Sequence, residues 1–369
     1  MVKPPTPLHI AIACGGTGGH IFPGLATADQ LSAMGYRVTL WLTGRELEAK
    51  IVEKTEYGQV NIPSKGWDGN WKALHTFAWN YFLSGKRALR PMLEDPPDVV
   101  LAMGSHAGMG PVKAAKKLGI PFVLHEANSI PGRMVAHFAK DAAKVGATFE
   151  CTRHELKEKA HLHITGMPLR SSLAQVAREH ERKRSEEEPF HILCMGGSLG
   201  ARSLNLIVRR AVRDLFTREK TIFITHLTGP ADEESVRSCY EQAGVPHHVA
   251  AFEKDMAPFY QRTDVAICRA GASSIAELSA FGIPSLLVPW PDAAKNHQVV
   301  NAQEFFRNKA VDMIEEQFLE VDWLAEYIEG CIHTPERLER LHTSFRHRSM
   351  IDSSLRLAQL VEEAALNAE

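Results

Sequence analysis

The chain has 369 residues, with 42 lysines and arginines against 44 aspartates and glutamates and a formal net charge of −2. This length fits two domains, and the near-neutral charge argues against nucleic acid as a partner. The six cysteines are scattered without a Cys-x-x-Cys pair, which argues against disulfides and a zinc site and indicates a reducing compartment. No run approaches about 18 apolar residues and residues 1–10 lack a signal-peptide core. We therefore expect any membrane contact to be made from the surface.

Eight apolar runs alternate with helical segments along the chain. They are LHIAIAC, RVTLWLTG, DVVLAMG and PFVLHE in the first half, and FHILCMG, TIFITHLTG, DVAICRAG and IPSLLVPW in the second. Runs that are apolar throughout are typical of parallel strands covered on both faces. The sequence therefore predicts an α/β fold with doubly wound parallel sheets.

The second half begins like the first. Residues 7–19 read PLHIAIACGGTGG and residues 189–200 read PFHILCMGGSLG. Two copies of a strand that runs into a glycine turn predict two Rossmann-like domains facing a central cleft. We expect an N-terminal domain over 1–167, a C-terminal domain over 168–342, and a final helix over 343–369 that packs back on the N-terminal domain.

The first glycine turn, in ACGGTGGHIFPG, is followed by a helix start. Glycines let a backbone approach a ligand closely, and a helix N-terminus offers unpaired N–H groups to an anion. A plain packing turn is the alternative. The turn is not a dinucleotide fingerprint, because Ile21 stands where a third glycine is required, and neither glycine turn continues into a P-loop lysine. His20 ends the turn, and an imidazole placed there could take a proton from a hydroxyl near neutral pH.

A second cluster lies in residues 264–302, where a strand leads into small and hydroxyl residues at a helix start. Ala272, Ser273 and Ser274 suit a phosphate or pyrophosphate. We place Glu277 in the first turn of that helix, where it would hold ribose hydroxyls or, alternatively, cap the helix. Gln298 follows the next strand. No Asp-x-Asp pair occurs, so we expect no metal, with backbone N–H groups and side-chain donors meeting the charge of the leaving group. Because the dinucleotide fingerprint and the P-loop are missing, we also expect no cofactor.

An aromatic and basic segment covers residues 67–90. Tryptophans among lysines and arginines are typical of segments that lie at a bilayer surface. The alternative is the buried side of an ordinary helix with a basic outer face. The residues expected to face a membrane are Trp71, Trp79, Phe82, Lys72, Lys86 and Arg87.

Together these motifs resemble the MurG family, the transferases that move N-acetylglucosamine (GlcNAc) from UDP-GlcNAc to the lipid-linked muramyl-pentapeptide of peptidoglycan. The resemblance rests on GGTGGHIFPGLA, PDVVLAMGS, GIPFVLHEANSIPGR, ITGMPLR, MGGSLGARSLN, CRAGASSIAEL and HQVVNA, in that order along the chain. It implies the GT-B fold, inversion at the anomeric carbon, and a place on the cytoplasmic face of the inner membrane beside proteins of cell-wall synthesis.

The resemblance also implies roles for individual residues. His20 would be the base that deprotonates the 4-hydroxyl of the acceptor, and Lys140 would lie beside the membrane segment. The substrate-binding residues implied are Thr17, Gly18, Gly19, Asn128, Arg170, Ser198, Ala272, Ser273, Ser274, Glu277 and Gln298.

The chain departs from the usual family motifs at several positions. Ala127 follows His-Glu where glutamine is usual, Leu199 stands in the second glycine loop, Glu253 replaces an apolar residue, and residues 104–111 form an atypical loop. The alternatives are a related GT-B glycolipid transferase, a UDP-GlcNAc 2-epimerase, or a non-catalytic nucleotide-sugar-binding partner.

Overall fold

A computed structural model describes residues 7–64, 74–156, 160–181, 187–197, 200–219 and 221–367, without the side chains of residues 47 and 74–82. The chain forms two compact units. Unit 1 is Met1–Ser171 with Asp352–Glu369, and unit 2 is Ser172–Ile351. The boundaries predicted from the sequence, after residues 167 and 342, lie four and nine residues before those of the units, after Ser171 and Ile351.

Unit 1 is built on a parallel sheet that has seven strands within the described residues, in the order β3-β2-β1-β4-β5-β6-β7. The strands are β1 His9–Ala13, β2 Arg37–Leu42, β3 Gly58–Asn61, β4 Val99–Ala102, β5 Phe122–Glu126, β6 Lys144–Ala147 and β7 Leu162–Ile164. The helices are α1 Gly18–Ala33, α2 Glu46–Val52, α3 Leu74–Glu94, α4 Met109–Leu118, α5 Arg133–Phe138, α6 Thr152–Leu156 and, from the end of the chain, α15 Ser353–Leu366. The strand order reverses between β1 and β4, which is where doubly wound sheets bind ligands.

The C-terminal helix α15 is part of the core of unit 1. Leu357 and Val361 are fully buried in the same cluster as Ile10 and Ile12 of β1. Gly146 of β6 makes room for Leu357, since a Cβ at that position would lie 3.0 Å from Leu357 Cδ1. The segment predicted as one helix over 343–369 is therefore divided: its first residues end α14 of unit 2, and α15 begins only at Ser353.

Unit 2 repeats the arrangement with a six-stranded parallel sheet among the described residues, in the order β10-β9-β8-β11-β12-β13. The strands are β8 Phe190–Met195, β9 Ile222–Leu227, β10 His247–Ala250, β11 Val265–Cys268, β12 Ser285–Leu287 and β13 Asp312–Met313. The helices are α7 Ser171–Glu179, which begins on the last residue of unit 1, α8 Arg202–Phe216, α9 Glu233–Ala243, α10 Ala257–Arg262, α11 Ala272–Phe281, α12 His297–Phe306, α13 Val321–His333 and α14 Pro335–His347. Its strand order reverses between β8 and β11.

All eight apolar runs contain a strand, and both sheets are parallel, as predicted. The strands that the sequence did not reveal are β3, β6, β7, β10 and β13. Most are short or lie at a sheet edge, where one face or one side is not buried and the apolar run is lost. None of the helices in the described ranges is long and apolar enough to cross a membrane.

Candidate functional site

In unit 1 the point of strand reversal brings together the loops that follow β1 and β4. The first contains Gly15 and Gly16, and the second contains Ser105. The Ser105 hydroxyl donates to the carbonyl of Gly15 at 2.5 Å, which ties the two loops to each other. Gly16 has φ +122°, a conformation that side chains rarely adopt, so the turn requires glycine there.

The predicted base, His20, lies in the first turn of α1. Its Nδ1 is 3.0 Å from the hydroxyl of Thr17, the residue that precedes the helix. The N–H of His20 donates to the carbonyl of Thr17 at 3.0 Å, so backbone and side chain are both fixed by the same residue. Burial, and after it the neighbouring His106, lower the pKa of His20 to about 4. At neutral pH the imidazole is therefore neutral and able to accept a proton.

The atypical loop 104–111 places another histidine beside this turn. A Cβ on Gly16 would lie 3.5 Å from Cε1 of His106. Burial and then the charge of Arg45 lower the pKa of His106. Among the residues that the structure describes, its Nε2 is buried without a hydrogen-bond partner.

Asn128 follows β5 and is held through its backbone. The N–H of Asn128 donates to Oε1 of Glu126 at 2.9 Å, and the N–H of Gly132 donates to Oε2 of the same carboxylate at 2.8 Å. Glu126 is buried. The loop that carries Asn128 is therefore closed around the carboxylate of Glu126.

Arg170, predicted near the pyrophosphate in the C-terminal domain, belongs to unit 1. Its guanidinium lies 5.7 Å from the centre of the Phe22 ring of α1. This is a cation–π distance, and Phe22 is two residues beyond His20.

In unit 2 the backbone of Ala270, just after β11, is held on both sides by α12. Its N–H donates to Oε1 of Gln298 at 3.2 Å, and its carbonyl accepts from Nδ2 of Asn301 at 3.1 Å. The N–H of Trp290 donates to the same oxygen of Gln298 at 2.9 Å. The amide NH2 of Gln298 is then its remaining group for binding a ligand.

Arg269, next to Ala270, links the loops around the strand ends of unit 2. It is 7% exposed, and its Nη1 donates to the carbonyls of Val288 and Pro289, each at 3.3 Å. Its Nη2 lies 3.3 Å from the hydroxyl of Ser203 in α8 and forms an ion pair with Glu316. Arg269 therefore acts as a support for these loops.

The helix start after β11 has the predicted small residues, but the position of Glu277 was predicted wrongly. Helix α11 begins at Ala272, with Gly271 in an extended conformation before it, and its first turn contains no acidic residue. Glu277 therefore lies in the second turn and does not cap the helix. Its Oε2 accepts a hydrogen bond from the hydroxyl of Tyr260 at 2.6 Å, which orients the carboxylate. Ser273 and Ser274 lie in the first turn and are half-buried.

Several predicted residues lie outside the described parts of the chain. These are Ser198 of the second glycine loop, Trp71 and Lys72, and also the side chains of Trp79 and Phe82 in α3. Lys86, Arg87 and Lys140 are described and exposed. The atypical Glu253 forms an ion pair with His248 at 2.9 Å.

One group of side chains in the described ranges has ligand atoms close enough to hold a metal ion: Glu219, Glu329 and His333. Glu219 precedes β9, at the edge of the sheet opposite to the loops described above. Glu329 pairs with Arg218, and His333 pairs with Glu219. This surface cluster is separate from the predicted substrate residues.

Four supporting residues were missed by the sequence analysis: Glu48, Ser105, Arg269 and Asn301. Each binds backbone groups of a strand-end loop from another part of the chain. Only Asn301 had a usable signal, since it lies three residues after Gln298 and so on the same face of α12.

Comparison with known proteins agrees with this architecture. Residues 10–147 match the family model of the glycosyltransferase family 28 N-terminal domain, and residues 191–354 match that of the C-terminal domain. A Geobacter sulfurreducens protein named UDP-N-acetylglucosamine–N-acetylmuramyl-(pentapeptide) pyrophosphoryl-undecaprenol N-acetylglucosamine transferase is 35% identical over 94% of this chain and 96% of its own length. A Shewanella denitrificans protein of the same name is 35% identical over 99% of both chains.

Solved structures give the same result. The crystal structure of Acinetobacter baumannii MurG superposes with a TM-score of 0.77 at 25% identity, over 97% of this chain and all of that one. The UDP-GlcNAc 2-epimerase of Neisseria meningitidis has a TM-score of 0.66 at 12% identity over 98% of this chain and 100% of that one, which shows a shared fold alone. With two Rossmann-like units, each on a parallel sheet, the chain has the GT-B fold, and it belongs to the MurG family within glycosyltransferase family 28.

Proposed function

We propose that the protein transfers GlcNAc from UDP-GlcNAc to the 4-hydroxyl of the muramyl unit of undecaprenyl-pyrophosphoryl-MurNAc-pentapeptide, the step from lipid I to lipid II in peptidoglycan synthesis. Relatives named for this transfer match nearly the full chain. The structural observation that supports the proposal is the hydrogen-bonded pair of Thr17 and His20 at the carboxyl end of β1. It presents a neutral imidazole, held by a hydroxyl, at the strand edge where α/β proteins bind ligands.

The proposed chemistry is a direct displacement. His20 accepts the proton of the acceptor's 4-hydroxyl as its oxygen attacks the anomeric carbon of GlcNAc. The bond between that carbon and the UDP oxygen breaks, UDP leaves with the electron pair, and the configuration inverts from α to β. Because its pKa is low, His20 is uncharged at all pH values near 7. A base with a low pKa also accepts a proton with a smaller driving force.

We assign donor binding chiefly to unit 2. The first N–H groups of α11, at Ala272 to Ser274, have no partner within the helix and suit the pyrophosphate. Glu277, oriented by Tyr260, would accept hydrogen bonds from the ribose hydroxyls, and the NH2 of Gln298 would donate to the sugar. Further substrate contacts are assigned to Thr17, Gly18, Gly19, Asn128, Arg170 and Ser198. Donors of this kind meet the leaving-group charge without a metal ion.

We further propose that unit 1 docks on the cytoplasmic face of the inner membrane through residues 67–90. In the described part of α3, Lys86 and Arg87 are exposed while Ala88 and Met92 are fully buried, so the helix turns a basic face outward. Each such positive charge near an anionic bilayer contributes about 1 kcal/mol to the free energy of membrane binding. The variant Lys86→Glu/Arg87→Glu should lose binding to vesicles containing anionic lipid.

The control for that experiment is Lys50→Glu/Lys54→Glu, which makes the same charge change at two exposed lysines outside the segment. Equal losses for the two double variants would contradict docking through α3. Proteins of the cell-wall synthesis machinery are proposed partners at the same membrane.

The experiment that tests the function is transfer of labelled GlcNAc from UDP-GlcNAc to the lipid-linked muramyl-pentapeptide, with diacylglycerol as the control acceptor. His20→Ala should lower turnover by a factor of about 10² to 10⁴ and leave UDP binding intact. His154→Ala, at an exposed histidine of α6, is the matched control. Transfer to diacylglycerol alone would refute the acceptor, and near-normal turnover of His20→Ala would refute the base.

The donor and the metal are tested separately. UDP-GlcNAc should raise the melting temperature far more than UDP-glucose does, and activity should survive EDTA. Equal shifts for the two sugar nucleotides would contradict the donor assignment, and a strict requirement for Mg²⁺ would contradict the metal-free assignment.

A further inference from the structure

Glu48 is a fully buried carboxylate that no motif of the sequence includes. It lies in the first turn of α2, after β2. Its Oε2 accepts the N–H groups of Thr43 at 2.7 Å, Gly44 at 2.9 Å and Arg45 at 3.4 Å. These bonds cap the N-terminus of α2, which is a common role for a glutamate in the first turn.

The other oxygen of Glu48 has a different partner. Oε1 accepts the N–H of Gly16 at 2.6 Å, a residue of the first glycine turn that lies 32 positions away in the sequence. The hydroxyl of Thr43 also donates to this oxygen. A helix cap has no need of the bond to Gly16, so this half of the carboxylate serves the glycine turn.

The glycine turn is shaped to receive this carboxylate. A Cβ on Gly15 would lie 3.0 Å from Oε1 of Glu48 and 2.8 Å from the backbone nitrogen of Thr43. Position 15 therefore has no room for a side chain, because the backbone at Leu42 and Thr43 and the carboxylate of Glu48 all lie against it. The turn is held from its other side by the bond from Ser105 to the carbonyl of Gly15, and Arg45 lies 3.4 Å from the carbonyl of Gly16.

Glu48 binds as the ionised form. Burial favours the neutral acid, but hydrogen bonds from the Thr43 hydroxyl and from the N–H groups of Gly16, Thr43 and Arg45 outweigh it and lower the pKa. Within the described residues, all the hydrogen-bond partners of Glu48 are donors, which suits an acceptor-only carboxylate and does not suit an amide. The nearby charged or titratable groups include Arg45, His106 and the thiol of Cys14.

The turn held by Glu48 leads directly into the predicted catalytic pair. Gly16 is followed by Thr17, whose carbonyl accepts the N–H groups of His20 and Ile21 and whose hydroxyl holds Nδ1 of His20. A shift of Gly16 would therefore move the hydroxyl of Thr17 and, with it, the imidazole of His20 that this hydroxyl binds.

We propose that Glu48 is a positioning residue of the transfer reaction: its ionised carboxylate fixes the Gly15–Gly16 turn and, through Thr17, the place of His20. The inference rests on the proposed function for the role of His20 as the base. Misplacing a reacting group by about 1 Å lowers the rate by about 100-fold. Loss of this support should therefore lower kcat and leave the affinity of unit 2 for the donor unchanged.

The first test is Glu48→Gln in the full-length protein, compared with Glu46→Gln. Glu46 is in the same helix, is 83% exposed and forms an ion pair with Lys50. We expect kcat to fall by about 10- to 100-fold in Glu48→Gln with little change in UDP binding, and to stay at the wild-type value in Glu46→Gln. Equal kcat values in the two variants would overturn the proposal.

A double-mutant cycle separates positioning from a merely structural role. If Glu48 acts through His20, Glu48→Gln should lower the residual rate of His20→Ala by less than twofold. Losses that multiply would overturn the proposal. Thr43→Val removes the hydroxyl bond to Oε1 and keeps the side-chain shape; it should show a smaller fall in kcat with the same non-additivity, and it serves if Glu48→Gln does not fold.

An NMR measurement distinguishes failure of this inference from failure of the proposed function. In Glu48→Gln the Gly16 amide should lose protection from hydrogen exchange and the His20 imidazole resonances should shift. If both stay as in the wild type, the inference is wrong whatever His20→Ala does. If both change while His20→Ala keeps normal turnover, His20 is not the base. Glu48 then fixes the glycine turn but has no role in catalysis.

Discussion

Replacing Thr17 with valine should impair the reaction without unfolding the protein. Valine keeps the shape and the β-branch of threonine but removes the hydroxyl that lies 3.0 Å from Nδ1 of His20. A neutral hydrogen bond contributes about 0.5–1.5 kcal/mol, which corresponds to a loss of about 2- to 12-fold in kcat if the bond is needed only to orient the base. Thr17 is exposed, and its side chain makes no capping bond to α1, so the free energy of unfolding should barely change.

The assay is the initial rate of GlcNAc transfer with both substrates saturating, together with urea unfolding followed by circular dichroism. Thr17→Ser is the matched control because it restores the hydroxyl, and its kcat should remain close to that of the wild type. The reasoning would be refuted if Thr17→Val kept the full kcat, or if the serine and valine variants lost activity equally. A fall in stability equal to the fall in activity would instead indicate that the threonine supports the helix start.

Three further predictions concern the base and the core. The value of kcat/KM should be constant near neutral pH and fall as the pH drops through about 4, because protonated His20 cannot accept a proton; a fall centred near 6.5 would contradict this. Gly24→Ala should destabilise the protein by about 1–3 kcal/mol in urea unfolding, since its Cβ would lie 2.4 Å from Cβ of Cys14, and an unchanged midpoint would contradict it. Leu357→Ala should lower the free energy of unfolding by about 2–5 kcal/mol, because Leu357 is fully buried. Leu355→Ala, at a side chain that is 37% exposed, should change it by no more than about 0.5 kcal/mol. Equal losses of stability would show that α15 is not anchored as described.

The strands of the two sheets could be predicted where they are buried on both faces. Residues 190–195, for example, are apolar almost throughout and form β8 in the middle of its sheet. Strand β13 has only two residues, at an edge, and β3 is largely exposed, so neither carries a continuous apolar run. The apolar pattern of a sequence reports which strands are buried. These strands are formed mainly by backbone hydrogen bonds to a neighbouring strand, so the pattern does not reveal them.

The candidate site was predictable only in part. His20 could be found because glycines and a helix start surround it in the sequence. The register of Glu277 could not, because the start of α11 is set by the extended conformation of Gly271, which the run of small residues does not reveal. Glu48 could not be recognised as a support because its partner is a backbone group of the Gly15–Gly16 turn, which is distant in the chain.

These supports fit what an anion-binding turn, as we propose for both units, would require. A turn that presents N–H groups to an anion cannot use all of them for its own hydrogen bonds, so its remaining backbone groups need partners from elsewhere. In unit 1 Glu48 and Ser105 supply them to Gly16 and Gly15, and in unit 2 Gln298 and Asn301 supply them to Ala270. Both units thus meet the same requirement with side chains of different chemistry: a carboxylate and a hydroxyl in one, two amides in the other. Because an ionised carboxylate accepts from several donors at once, the turn in unit 1 depends on a single residue more than the loop in unit 2 does.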